Sequence, residues 1–211
     1  MTPLVKICGV TRVEDAVLAV ELGADWLGLN FWPGSPRSVS LPRARAIAHA
    51  VSGRVGLAGV FVDAPLAEVE ATLAGLGLDL AQVHGDVSTP DLESLAAARR
   101  LLRPFRGVPG QATIDAGPAA TLYLVDAAHA TLLGGTGQSW DFGALAGLRF
   151  PAPVLVAGGI RPENVAAALA ASGADGVDVA SGVESAPGIK DPEKMEQLFL
   201  EVRRVATAPP S

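Results

Sequence analysis

The chain holds 211 residues, 49% of them hydrophobic and 18% charged, with 24 glycines, 16 prolines and one cysteine. That hydrophobic share excludes a disordered chain, and one thiol excludes an internal disulfide framework and a cysteine-only metal cluster. The net charge is -6 and the longest basic runs are the pairs 99–100 and 203–204, which argues against a nucleic-acid surface.

Strand-type and helix-type patterns alternate along the chain. The N-terminus enters an apolar strand at 4–8 directly, with Lys6 inside it. It lacks the basic-then-apolar layout of a secretory leader, and no apolar run reaches the ~20 residues of a membrane span. A cytoplasmic protein is expected. A helix follows at 13–22, a strand at 26–30, a helix at 41–51 and a strand at 54–61. Next come a helix at 65–76, a strand at 80–84, a helix at 90–100 and the weakest strand, 101–106, ahead of a Gly/Pro-rich stretch at 107–117. Strands at 122–126, 153–156 and 176–179 complete the set, with helices at 162–171 and 191–206. Thr11 stands ahead of the first helix, and Asp191-Pro192 opens the last with a cap and a proline of fixed φ. Gly-Ala-Asp recurs at 23–25 and 173–175, where glycine can end a helix in the left-handed conformation.

Eight strands in this length leave about 26 residues for each strand–helix unit. Strands joined through helices run parallel, and eight such units close into a single (β/α)8 barrel of the α/β class spanning 1–211, with an irregular fifth unit. A doubly wound open sheet is the alternative. Alternation along each strand sorts the side chains into two faces. Lys6 and Cys8, Gln82 and His84, Leu124 and Asp126, and Asp178 share the faces opposite Val5, Ile7, Val83, Val125, Val177 and Val179. The apolar faces belong against the helices. The polar ones then point inward near the C-terminal ends of their strands, where a barrel places its active site.

Four loops carry the candidate chemistry. Gly158-Gly159 ends the seventh strand, and Ser181-Gly182 follows the eighth. In barrels the loops after those two strands often share one phosphate, held by backbone N–H groups. The stretch Gly134-Gly-Thr-Gly137 is followed by Gln138-Ser139 where a nucleotide P-loop needs Lys-Ser/Thr, so a triphosphate is not expected. Arg37 closes Phe31-Trp-Pro-Gly-Ser-Pro, and its guanidinium suits a carboxylate. His84 has inward parity without a metal-ligand partner, and His49 and His129 are expected on the surface. Cys8 reads either as a small buried residue or as a reactive thiol.

Taken in order, Lys6-Ile-Cys-Gly9, Asn30-Phe-Trp-Pro-Gly-Ser-Pro-Arg37, Gln82-Val-His-Gly85, Gly134-Gly-Thr-Gly137, Ala157-Gly-Gly-Ile160, Gly176-Val-Asp-Val-Ala-Ser-Gly-Val-Glu184 and Pro187-Gly-Ile-Lys-Asp191 resemble the phosphoribosylanthranilate isomerase family. The resemblance runs from Lys6 to about residue 194. Gly34, Gln138, Ala81 and Ala180 depart from it without touching a residue given a chemical role. It implies a TIM barrel and an Amadori rearrangement of a phosphorylated aminoaldose in tryptophan biosynthesis. It implies Cys8 as general base, Asp126 as general acid, Arg37 on the anthranilate carboxylate and Gly158, Gly159, Ser181 and Gly182 on the phosphate. Asp178 is implied as a supporting residue of the pocket. Proton transfers suffice, so no metal or organic cofactor is implied. The implied partner is the small-molecule substrate alone, with no nucleic acid and no membrane, in a monomer or homodimer. A base role asks for some thiolate, which Lys6 would favour. Two rival readings stand beside this one. The first is another phosphate-binding barrel, such as indole-glycerol-phosphate synthase or a pentulose-phosphate epimerase. The second is a phosphometabolite-binding barrel with Cys8 as a redox-sensing thiol.

Overall fold

The computed structural model describes residues 2–126 and 141–207. Eight parallel strands close into a barrel: β1 (Leu4–Cys8), β2 (Trp26–Asn30), β3 (Gly56–Val62), β4 (Leu80–His84), β5 (Leu101–Arg106), β6 (Leu122–Asp126), β7 (Val154–Ala157) and β8 (Gly176–Val179). Pairing of β8 with β1 closes the ring and rules out the open sheet. Around it lie α1 (Val13–Leu22), α2 (Leu41–Ala50), α3 (Leu66–Leu76), α4 (Thr89–Ala97), α5 (Gln111–Asp115), α6 (Val165–Ser172) and α7 (Pro192–Thr207). The fifth strand is regular, with Pro104 opposite Leu124 of β6. The irregularity falls on α5, five residues long. No described helix is long and apolar enough to cross a membrane.

The recurring Gly-Asp pattern has a mechanical purpose. Gly23, Gly77 and Gly173 end α1, α3 and α6 with positive φ, and an aspartate follows each two residues later. The carboxylates of Asp25, Asp79 and Asp175 then accept the N–H of Val5, Leu57 and Val154 at 2.8, 2.8 and 2.9 Å. Each bond satisfies a strand-start donor at the bottom of the barrel and pins a unit to its neighbour.

The face assignment holds. Val5, Ile7, Val83, Tyr123, Val125, Val177 and Val179 pack outward against the helices in the large core. Inside the barrel, Ala58, Leu80, Leu102, Leu122, Leu124, Leu155 and Ala157 form a separate core over Leu4 and Trp26. A Cβ on Gly56 would fall 2.4 Å from the Trp26 ring, so the smallest residue faces the largest there. The interior is therefore plugged with hydrocarbon below and turns polar only at the mouth. The chain after β8 departs from the expected repeat. After β8 the chain makes a short 3-10 turn at Ser181–Val183, then a hairpin of β9 (Glu184–Ala186) and β10 (Ile189–Lys190).

Candidate active site

Lys6 and Cys8 stand two residues apart on the inner face of β1. Lys6 is fully buried, and its Nζ donates to Asp178 Oδ1 on β8 and to Gln82 Oε1 on β4, each at 3.0 Å. Burial works against the ammonium. The Asp178 carboxylate and Cys8 outweigh it, so the Lys6 pKa lies above its usual value. Burial pushes Asp178 up; Lys6 opposes this and the charge of Asp126 adds to it. Two acceptors at 3.0 Å hold Lys6 as the ammonium.

Cys8 is half-buried at the mouth. Gly28 lies opposite it on β2, and a Cβ built there would come within 2.8 Å of Sγ. The thiol therefore occupies space that only a glycine leaves. Burial pushes its pKa up, with Asp178 adding to the effect, while the cations of Lys6 and Lys190 oppose it. Lys6 acts in the expected direction, but desolvation is larger, so the resting group is chiefly thiol.

Gln82 extends the polar chain. Lys6 can only donate, so it fixes Oε1 of the amide toward itself. Nε2 must then donate to His84 Nε2, 2.9 Å away. The His84 ring nitrogen is the acceptor of that bond. Asp178, Lys6, Gln82 and His84 thus form one hydrogen-bonded row across the mouth. Asp126 ends β6, with Ala157 of β7 as its register partner.

Arg37 is not a free guanidinium. Its Nε donates to both oxygens of Glu184 at 2.9 and 3.1 Å, and its Nη2 to Oε2 at 2.6 Å. One side of the fork is therefore occupied, and Nη1 has no hydrogen bond among the described residues. Burial would raise the Glu184 pKa, but Arg37 and Lys190 hold it below the usual carboxylate range. Lys190, 1% exposed, donates to the carbonyl oxygens of Cys8 and Ala180 at 2.6 and 3.1 Å and to Glu184 Oε1 at 3.0 Å. Burial lowers its pKa against the pull of Glu184.

Glu184 and Lys190 stand in the sequence only inside the two C-terminal motifs, with no chemistry attached, because their partners lie far away along the chain. One compositional signal was available. The chain has 13 arginines and three lysines, Lys6, Lys190 and Lys194, and none of the lysines is exposed. An ammonium meets three converging acceptors, which a planar guanidinium cannot do.

The remaining expected residues meet where β7 and β8 end. Gly158 and Gly159 have φ of 91° and 72°, consecutive left-handed positions that favour glycine. A Cβ on Gly182 would fall 1.9 Å from the Ile160 carbonyl oxygen, so its absence lets the two loops touch. Gly159, Ser181 and Gly182 border a cleft of about 370 Å³ whose rim also carries Arg161 and Lys194. The opposite end of the barrel has a cleft of about 340 Å³ against Arg45, His49 and Asp79, which holds none of the expected site residues. The stretch 134–137, Gln138 and His129 lie outside the described residues.

Residues 5–201 match the family model described as N-(5'phosphoribosyl)anthranilate (PRA) isomerase. The chain is 46% identical to the N-(5'-phosphoribosyl)anthranilate isomerase of Myxococcus xanthus, over 97% of this chain and 98% of that one. The crystal structure of phosphoribosyl anthranilate isomerase from Thermus thermophilus superposes with a TM-score of 0.82 at 36% identity, covering 96% of this chain and 99% of that one. A phosphoribosyl anthranilate isomerase in complex with reduced 1-(o-carboxyphenylamino)-1-deoxyribulose 5-phosphate gives 0.81 at 27% identity, over 96% and 99%.

Proposed function

The chain belongs to the N-(5'-phosphoribosyl)anthranilate isomerase family, and we propose that Cys8 and Asp126 divide the two proton transfers of the rearrangement. The reaction is an aldose–ketose isomerisation of tryptophan biosynthesis. It converts N-(5'-phosphoribosyl)anthranilate to 1-(2-carboxyphenylamino)-1-deoxyribulose 5-phosphate. Asp126, as general acid, delivers a proton to the furanose ring oxygen, and the ring opens to an iminium. The Cys8 thiolate removes the C2′ proton, and the resulting enolamine tautomerises to the ketone. The iminium places positive charge beside the thiol during the step in which thiolate is needed. That charge works with Lys6 and Lys190 against the desolvation that otherwise favours the thiol.

Binding follows the same layout. Gly158, Gly159, Ser181 and Gly182 hold the phosphate through backbone N–H groups and the Ser181 hydroxyl. Arg37 meets the anthranilate carboxylate with its open Nη1 edge. Asp178 holds Lys6 beneath the thiol and lines the pocket. The reduced ketose that a relative binds is the natural ligand to test here. A free thiol in this role suits the reducing cytoplasm, where we place the enzyme.

The observation that carries the assignment is the Cys8 thiol at the mouth, in the space left by Gly28 and above the buried Lys6 ammonium. The test is turnover followed by anthranilate fluorescence. Cys8→Ala and Asp126→Asn should each reduce kcat by at least about 10²-fold, in the range of lost general acid–base catalysis, while the reduced ketose still binds. Near-normal turnover in either variant removes that residue from its role.

A further inference from the structure

The Glu184–Lys190 pair lies outside the two proton transfers, yet it touches Arg37, the Cys8 carbonyl at the end of β1 and the Ala180 carbonyl after β8. Glu184 is 7% exposed. Its carboxylate accepts from Arg37 Nε and Nη2, from Lys190 Nζ and from the Gly188 N–H at 3.2 Å. Lys190 spends its three protons on Glu184, on the carbonyl of Cys8 at the end of β1, and on the carbonyl of Ala180, which precedes Ser181. The lysine is held from behind as well, since its own N–H donates to Asp15 of α1 at 3.1 Å.

We propose that Glu184 is the positioning residue that turns Arg37 toward the substrate carboxylate, and that Lys190 anchors it to the strand ends carrying the thiol and the phosphate loop. The inference rests on the reading of Arg37 as the carboxylate clamp. Its physical basis is the geometry of the fork. An arginine on a loop has several rotamers of similar energy, and a bidentate carboxylate selects one. Glu184 takes the Nε side, so the Nη1 edge is the part left for a second carboxylate. A substrate anion then meets a pre-oriented donor and does not have to order it on binding. Lys190 balances the extra buried negative charge, so Glu184 does not cancel the field of Arg37. The three-way contact of Lys190 fixes the spacing between the clamp, the thiol and the phosphate loop, so one ligand can reach all three.

A double-mutant cycle on the full-length protein tests this. The probes are the reduced ketose phosphate and its aniline counterpart without the carboxylate, with Kd measured by calorimetry and turnover by fluorescence. Arg37→Ala should weaken the carboxylate-bearing ligand by about tenfold or more, and the aniline ligand little. Glu184→Gln should show the same selectivity, raising KM while kcat changes less. In the Arg37→Ala background it should add almost nothing. Glu184→Asp, which keeps the charge, should recover part of the loss and serves as the test variant if Glu184→Gln does not fold. Lys190→Met should lower kcat as well as binding, because the Cys8 carbonyl loses its donor.

The inference is overturned if Glu184→Gln weakens both ligands alike, or if its effect adds in full to that of Arg37→Ala. If Arg37→Ala leaves the Kd of the carboxylate ligand unchanged, the clamp itself is wrong and the inference falls with it.

Discussion

The sharpest consequence of the site geometry concerns a residue with no side chain. In Gly28→Ala the new Cβ would sit 2.8 Å from Cys8 Sγ, 3.1 Å from Cys8 Cα and 3.3 Å from Cys8 Cβ. Relaxed non-bonded carbon and sulfur atoms need about 3.5–4.0 Å, so the thiol must yield by roughly 1 Å. The Cys8 backbone belongs to a paired strand and cannot move without disturbing the β1–β2 ladder. The compliant coordinate is the Cys8 χ1 angle, which carries the sulfur away from its place. Overpacking of this size costs about 1–3 kcal/mol of stability. A misplacement of about 1 Å at a reacting atom costs on the order of 10²-fold in rate. Gly28→Ala should therefore fold with a lowered Tm and lose kcat far more than its affinity for the reduced ketose. Gly75→Ala supplies the matched control. Gly75 lies in α3, exposed, with nothing within 4 Å of an added Cβ. There the same change should stabilise by about 0.4–1 kcal/mol and leave turnover alone. The comparison uses thermal unfolding and the fluorescence assay on both variants. A folded Gly28→Ala enzyme with wild-type kcat would refute the placement of the base at Cys8.

Other perturbations read the electrostatics. Lys6→Met removes the cation from a buried pair and leaves Asp178 without its partner, which costs about 3–5 kcal/mol by denaturant unfolding unless the acid takes up a proton. Cys8 is the only thiol, so alkylation by iodoacetamide reports on it alone. Its pKa is raised, so the alkylation rate should still be climbing at pH 9, and Lys6→Met should slow it further between pH 7 and 9; a plateau near pH 7 would contradict the burial account. Glu184 has a lowered folded pKa, so it contributes stability above its unfolded value near 4.5 and loses it as pH falls through the folded one. The Tm gap between wild type and Glu184→Gln should therefore narrow below about pH 4.5; a gap that stays constant to pH 3 would show that the carboxylate's charge contributes nothing.

What was legible in the chain is what a period of two and a run of units can carry. Parity placed Lys6, Cys8, Gln82, Asp126 and Asp178 on the inner faces, because alternation is a local property of an extended backbone. The repeat of strand and helix implied a barrel, and Gly-Ala-Asp marked the helix ends that proved to pin the strand starts. Strand 101–106 forms with Pro104 inside it because the β4 ladder ends at Leu102, so at Pro104 the strand pairs with β6 alone and the missing N–H leaves no ladder bond broken. The tertiary structure decided who meets whom. Arg37 and Glu184 are 147 positions apart, and Lys190 and Cys8 are 182 apart, so no window of sequence contains either pair. The net shift of the Cys8 thiol is likewise a sum over β1, β8 and β10, in which desolvation exceeds two opposing cations. Local periodicity determines which way a side chain points; only barrel closure determines the charge and the partner it finds there.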